Sequence, residues 1–146
     1  MSKLLALAFH LECDPDELSE SNYDSNTFIH GRREYLVCTD EEANELAQES
    51  LESLAKELIP RDVLGTFAGY IDTERWAQDV LISDGRANTL ARYDGDEHEV
   101  CLGSEDLDYL AGLYINAVDG TTREDFDEMY GNDAELNVWF YIYRVD

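Results

Sequence analysis

Glu34-Tyr-Leu-Val-Cys-Thr-Asp-Glu-Glu-Ala43 runs directly into Asn44-Glu-Leu-Ala-Gln-Glu-Ser-Leu-Glu-Ser-Leu-Ala-Lys-Glu-Leu58, and this passage decides the fold class. Its first five residues have the β-branched and aromatic content of a short strand, in Val37 and Tyr35. Thr39 and Glu42 then stand at capping-box spacing, where each side chain can satisfy a backbone donor of the other residue. Behind the cap, Ala43, Leu46, Ala47, Leu51, Leu54, Ala55 and Leu58 recur at steps of three and four, so one apolar face runs along an amphipathic helix. Ile59-Pro60 ends it, because the residue before a proline is driven out of the helical region.

Working outward, Leu4 to Leu11 reads as a short apolar helix. Asp14-Pro15 opens a second turn, with Asp14 as N-cap and Pro15 at the first helical position, running to about Glu20. Residues 21–33, rich in Ser, Asn and Asp, read as a loop. Arg61 to Ala68 and Asp72 to Leu81 read as short helices, the second capped by Asp72 or Thr73 with Trp76 and Val80 inward. Ser83-Asp-Gly85 is a breaker. Leu90 to Tyr93 reads as a strand turned by Asp94-Gly95, with Glu99 to Leu102 as partner. Asp106 to Ala117 and Thr122 to Met129 read as helices on either side of an Asp119-Gly120 turn. Leu136 to Val145 is the strongest strand: Val138, Phe140 and Ile142 share one face, and Trp139, Tyr141 and Tyr143 the other. Apolar on both faces, it belongs at the centre of a sheet covered on both sides. The expectation is one α+β domain over residues 1–146, a small antiparallel sheet packed against one long amphipathic helix and several short ones.

Charge is the loudest compositional signal. The 146 residues carry 34 Asp+Glu against 10 Lys+Arg, a formal net charge of −24. Self-repulsion of that size costs stability and implies a basic partner or a demanding solvent. With 44% hydrophobic and 11% aromatic residues the chain is too apolar for an acidic disordered segment. On the long helix Glu41, Glu45, Glu49 and Glu52 lie away from the apolar face, about 5–6 Å apart along the axis. That row can imitate the phosphates of one nucleic-acid strand. Asp94, Asp96, Glu97 and Glu99 form a second cluster, and Glu124, Asp125, Asp127 and Glu128 a third. A solvated face is the ordinary fate of any single cluster; their number and the shortage of bases point to a basic protein surface.

Other chemistry finds little support. Placing Gly95, Gly120 or Gly131 at the sixth position of an EF-hand loop leaves Leu90, Ile115 or Phe126 as the first ligand. Zinc would need His10 and Cys13, three apart, to meet Cys38, Cys101 or His98 from elsewhere, without any CxxC pair. There is no GxSxG elbow and no phosphate-binding glycine loop. No catalytic residue, metal or cofactor is therefore expected, and the net field repels nucleic acid itself. No apolar run reaches membrane-span length, no cleavage site follows the N-terminal apolar run, and three unpaired cysteines suit a reducing compartment, so a cytoplasmic location is expected.

Several segments resemble a group of small acidic proteins encoded by bacteriophages and mobile elements. They are Leu18-Ser-Glu-Ser-Asn-Tyr-Asp24, Glu34 to Ala43, Ser83-Asp-Gly-Arg86, Tyr93-Asp-Gly-Asp-Glu-His-Glu99 and Phe140-Tyr-Ile-Tyr-Arg-Val145. The chain departs from the pattern at Ala87, where another glycine is usual, and over about 103–135, an acidic stretch that looks inserted. The resemblance implies a phage setting and not a mechanism; small acidic proteins in that setting are often inhibitors of host defence complexes, and a CRISPR effector is placed first as target and a restriction enzyme second. The resulting expectation is a non-enzymatic DNA mimic that binds a basic DNA- or RNA-binding complex of the host; a homodimer would extend its surface but is not required. Two rivals stand beside it. One is a salt-adapted cytosolic protein. The other is an interaction module whose specificity lies in exposed aromatics such as Tyr130 or Trp139.

Overall fold

Strand β5 (Trp139–Arg144) lies between β3 (Arg33–Cys38) and β4 (His98–Cys101), the central place its two apolar faces demand. The computed structural model describes residues 2–21, 24–58, 72–117 and 119–146. The sheet has the order β1-β2-β3-β5-β4, with β1 at Ser19–Glu20 and β2 at Thr27–His30, and every pairing is antiparallel. Val37 faces Ile142 across the ladder and Val100 faces Phe140, which puts these four on one side. Leu36 opposite Tyr143, and Cys38 opposite Tyr141, occupy the other.

Each side has its own helical layer. Against Val37, Phe140 and Ile142 pack α1 (Ser2–Leu11), Leu107, Leu110 and Tyr114 from the helix Ser104–Ala117, and Phe126 from the turn Arg123–Phe126. Against Cys38 and Tyr143 pack Ala43 and Ala47 of α2 (Asp40–Leu58) and Leu90 of the short α4 (Ala87–Leu90). Helix α3 (Thr73–Asp84) lies along α2, where Gln48 donates to the Glu74 carbonyl at 3.0 Å. With the Ser104–Ala117 helix as α5 and the Arg123–Phe126 turn as α6, the architecture is the expected α+β. The acidic stretch read as an insertion supplies Leu110 and Phe126, both fully buried, to the same core as α1.

Local signals explain most boundaries. The Thr39–Glu42 capping box is present, with bonds of 3.0 and 3.3 Å. Asp14 caps Pro15–Glu17 through a second box, but that 3-10 turn is only three residues long because the chain leaves it to enter β1. Thr122 and Asp125 form a third box. Beyond Phe126 the backbone widens into a π turn, Asp127–Gly131, rather than continuing as an α-helix to Met129. A Cβ on Gly131 would stand 2.6 Å from the Asp127 carboxylate, which would have to turn aside to admit it. Residues 61–68, read as a helix, lie outside the described residues.

Three expectations are corrected. Thr27 to His30, read as loop, is strand β2, joined to β3 by a two-residue turn with Gly31 at φ 64° in its first position. Leu90 to Tyr93, read as a strand, instead ends the helical turn α4, with Ala91 N–H donating to Ala87 O and Gly95 N–H to Ala91 O. Buried beneath α2, Leu90 and Ala91 serve the core without pairing. In α3 it is Ala77 that is buried, while Trp76 is 39% exposed.

Helix α1 ends in a Schellman motif: Cys13 N–H reaches Ala8 O at 3.0 Å and Glu12 N–H reaches Phe9 O at 3.2 Å. The left-handed position that glycine prefers is held here by Glu12, at φ 55°. Glu12→Gly should therefore raise the urea unfolding free energy by about 0.5–1 kcal/mol, the relief of left-handed strain exceeding the extra freedom of the unfolded chain.

Candidate functional site

At 100° per residue, Glu41, Glu45, Glu49 and Glu52 fall on the outward side of α2, opposite the buried stripe of Ala43, Ala47, Leu51 and Ala55. Glu41, Glu45 and Glu49 are exposed and Glu52 is half-buried. Among the described residues none of the four forms an ion pair. Leu54, assigned to the apolar stripe, is 43% exposed.

The other two clusters are less free. Asp94 accepts from the Asp96 backbone and stays exposed, as do Asp96 and Glu99. Glu97 turns inward, where it pairs with Arg86 Nε at 2.7 Å and accepts a hydrogen bond from the Tyr143 hydroxyl. In the third cluster Asp125 is occupied by its capping box and Asp127 by Arg123 at 3.0 Å, leaving Glu124 and Glu128 exposed. The third cluster does not share a surface with the helix row. Turn α6 belongs to the α1 layer and α2 to the opposite one, so the sheet separates the third cluster from the helix row.

Several of the scarce cations are spent inside the fold. Arg86 Nη1 reaches the Asp40 carboxylate at 2.7 Å, the Asp40 carbonyl at 3.1 Å and Asn44 Oδ1 at 2.8 Å, while its guanidinium lies 4.5 Å above the Tyr141 ring. One side chain thus ties α2, the start of α4, the 94–97 turn and β5. Burial disfavours its charge, but the bonds to Glu97 and Asp40 outweigh this and raise its pKa above the ordinary value. Burial foremost, and then the bond to Glu97, push the Tyr143 hydroxyl well above its usual range. Lys3 is spent similarly, on Glu42 at 2.8 Å and on Asn26.

Among the described residues the cysteines and histidines weighed for zinc do not gather into one group. Cys38 lies on the α2 side of the sheet and Cys13 on the α1 side. His10 stacks instead on His98, with ring centroids 4.6 Å apart, and burial together with His98 lowers its pKa. Cys13 stands with Glu17 and His30, their ligand atoms all within 4.8 Å of one another. Sequence reasoning missed this grouping because His30 sits on the unrecognised β2; the Thr-Phe-Ile-His-Gly alternation into a turn was the available signal. Tyr130, offered as an exposed aromatic, is buried and donates to Asp16, whereas Trp139 is 54% exposed.

Two open grooves of about 520 and 620 Å³ are present, one between α2 and the β2–β3 end of the sheet, the other beside His10 between Glu99 and Glu105. No helix among the described residues is long and apolar enough to cross a membrane. No protein-family model matches the chain, and no curated protein or solved structure shows significant similarity to it.

Two measurements check these electrostatics. Arg86→Met keeps the stem over Tyr141 but strands the half-buried Glu97, so the urea midpoint should fall by the equivalent of about 1–3 kcal/mol with an unchanged slope. Glu42 is the pH-dependent contact: burial opposes its charge, yet the bonds from Lys3 and Thr39 hold its carboxyl below the ordinary value. Its contribution is complete above the unfolded pKa of about 4.3 and is lost as pH falls through the lower folded value. The stability gap between wild type and Glu42→Gln should be widest near neutrality and shrink in acid.

Proposed function

We propose that this protein is a non-enzymatic acidic inhibitor that occupies a cationic, nucleic-acid-reading surface of a partner complex, with α2 as the contact helix. The observation that supports this most directly is the row Glu41, Glu45, Glu49 and Glu52: outward on one helix, about 5–6 Å apart along the axis, and in no ion pair among the described residues. The −24 charge would steer such an encounter over long range, and the attraction would weaken with salt. The likeness of the quoted segments to small acidic phage-encoded proteins supplies the setting. Within that setting the target placed first is a CRISPR effector, then a restriction enzyme, met in the cytoplasm of the host.

One observation favours a second reading. Exposed acids stand in both helical layers, Glu124 and Glu128 on one and the α2 row on the other. A protein clothed in carboxylates on opposite sides is also what a salt-adapted surface would be. The two readings separate in a single comparison. A pulldown from host lysate across a salt series, followed by DNA competition for the captured complex, should show loss of capture at high salt and exclusion of duplex DNA. Replacing Glu41, Glu45, Glu49 and Glu52 with Gln should weaken capture about tenfold or more, against little change for Glu124→Gln with Glu128→Gln. Equal loss from both variants, or unfolding at low salt that molar KCl reverses, would favour the salt-adapted surface.

A further inference from the structure

We propose that Cys13, Glu17 and His30 form a binding site for a zinc-class divalent transition metal, with the fourth position open to water or an outside ligand. The three side chains come from different elements. Cys13 follows the Schellman end of α1, Glu17 closes the 3-10 turn and His30 ends β2. Among the described residues they are the one group of three His, Cys or acidic side chains whose donor atoms gather within 4.8 Å.

The donor set selects the metal. A thiolate and an imidazole are poor ligands for calcium or magnesium, which prefer oxygen. Together with one carboxylate they suit zinc and its neighbours, at bond lengths of about 2.0–2.3 Å in a tetrahedron. Those lengths place ligand atoms about 3.3–3.8 Å apart, so rotation of the side chains by roughly an ångström closes the site.

The surroundings prepare it as well. The backbone fixes Cys13 through the 3.0 Å bond to Ala8, and the Asp14 N–H holds one Glu17 oxygen at 3.1 Å, which orients the carboxylate. Asp14 is buried beside them and Asp16 follows, adding a negative field that favours a cation. Cys13 is buried while Glu17 is exposed and His30 half-buried, so an ion has a path in from the Glu17 side. A bound ion would pin the β1–β2 end of the sheet to α1. The site lies on the α1 side of the sheet, away from the α2 row, and does not depend on the inhibitor reading.

The test uses the full chain, reduced and stripped with chelator, in buffer holding a large excess of Mg²⁺ to saturate diffuse acidic binding. Co²⁺ alone is titrated, then Zn²⁺. One equivalent of Co²⁺ should give tetrahedral visible absorption and a near-ultraviolet sulfur-to-cobalt band, both removed by Zn²⁺. Cys13→Ser should abolish the sulfur band and Cys101→Ser should leave it intact. His30→Gln and Glu17→Gln, with far-ultraviolet circular dichroism confirming the fold, should weaken Zn²⁺ at least about tenfold. Absence of the sulfur band at one equivalent, its survival in Cys13→Ser, competition by Mg²⁺, or unchanged affinity in folded His30→Gln would each overturn the site.

Discussion

Burial of β5 on both faces is the constraint from which the rest follows. Phe140 and Ile142 on one side, and Tyr143 on the other, are at most 3% exposed. A strand of this kind needs a ladder partner at each edge and a helical layer over each face. The ladder partners are β3 and β4; the layers are α1 with α5 and α2 with α4. The same requirement distributes the charge. Helices that cover opposite faces must carry their polar sides in opposite directions, so the acids of α2 and of α6 cannot converge on one surface.

Within that frame the small stock of cations has a structural role. Arg86 holds α2 and the 94–97 turn together through acceptors on each, and its guanidinium lies over Tyr141 of β5. Lys3 links α1 to the start of α2. Arg123 of α6 reaches Asp108 of α5 and Asp127 of the π turn, both partly exposed, where ion pairs contribute little. Cations engaged in this way neutralise carboxylates at the seams between elements, while Arg32, Arg33, Lys56, Arg75 and Arg92 stay exposed among a larger number of acids.

Much of this was legible in the chain. The Thr39–Glu42 spacing and the apolar steps of α2, Leu54 apart, the Asp14-Pro15 and Asp72 caps, and the two-faced character of β5 are all local patterns, and the structure keeps them. What escaped reading depends on partners distant in sequence. Thr27 to His30 is too short to declare itself a strand and becomes one only by pairing with β3. Leu90 and Ala91 look like strand residues but are claimed by α2, and Tyr130 looks like a free aromatic until Asp16, over a hundred residues away, accepts its hydroxyl. Glu97 could not be told from its acidic neighbours, because Arg86 is what turns it inward. The outward row on α2 was readable because helix periodicity alone places it.

The margins of the sheet carry a consequence of their own. Its terminal strands are β1, two residues with Glu20 exposed, and β4, four residues with Glu99 exposed. Brief flanking strands bearing carboxylates make poor templates for a neighbouring backbone, since two approaching copies would bring like charges together before any ladder bond could form. At low ionic strength the molecule is thereby protected against stacking into fibrils, and that protection should be thinnest in acid, where the carboxylates lose their charge.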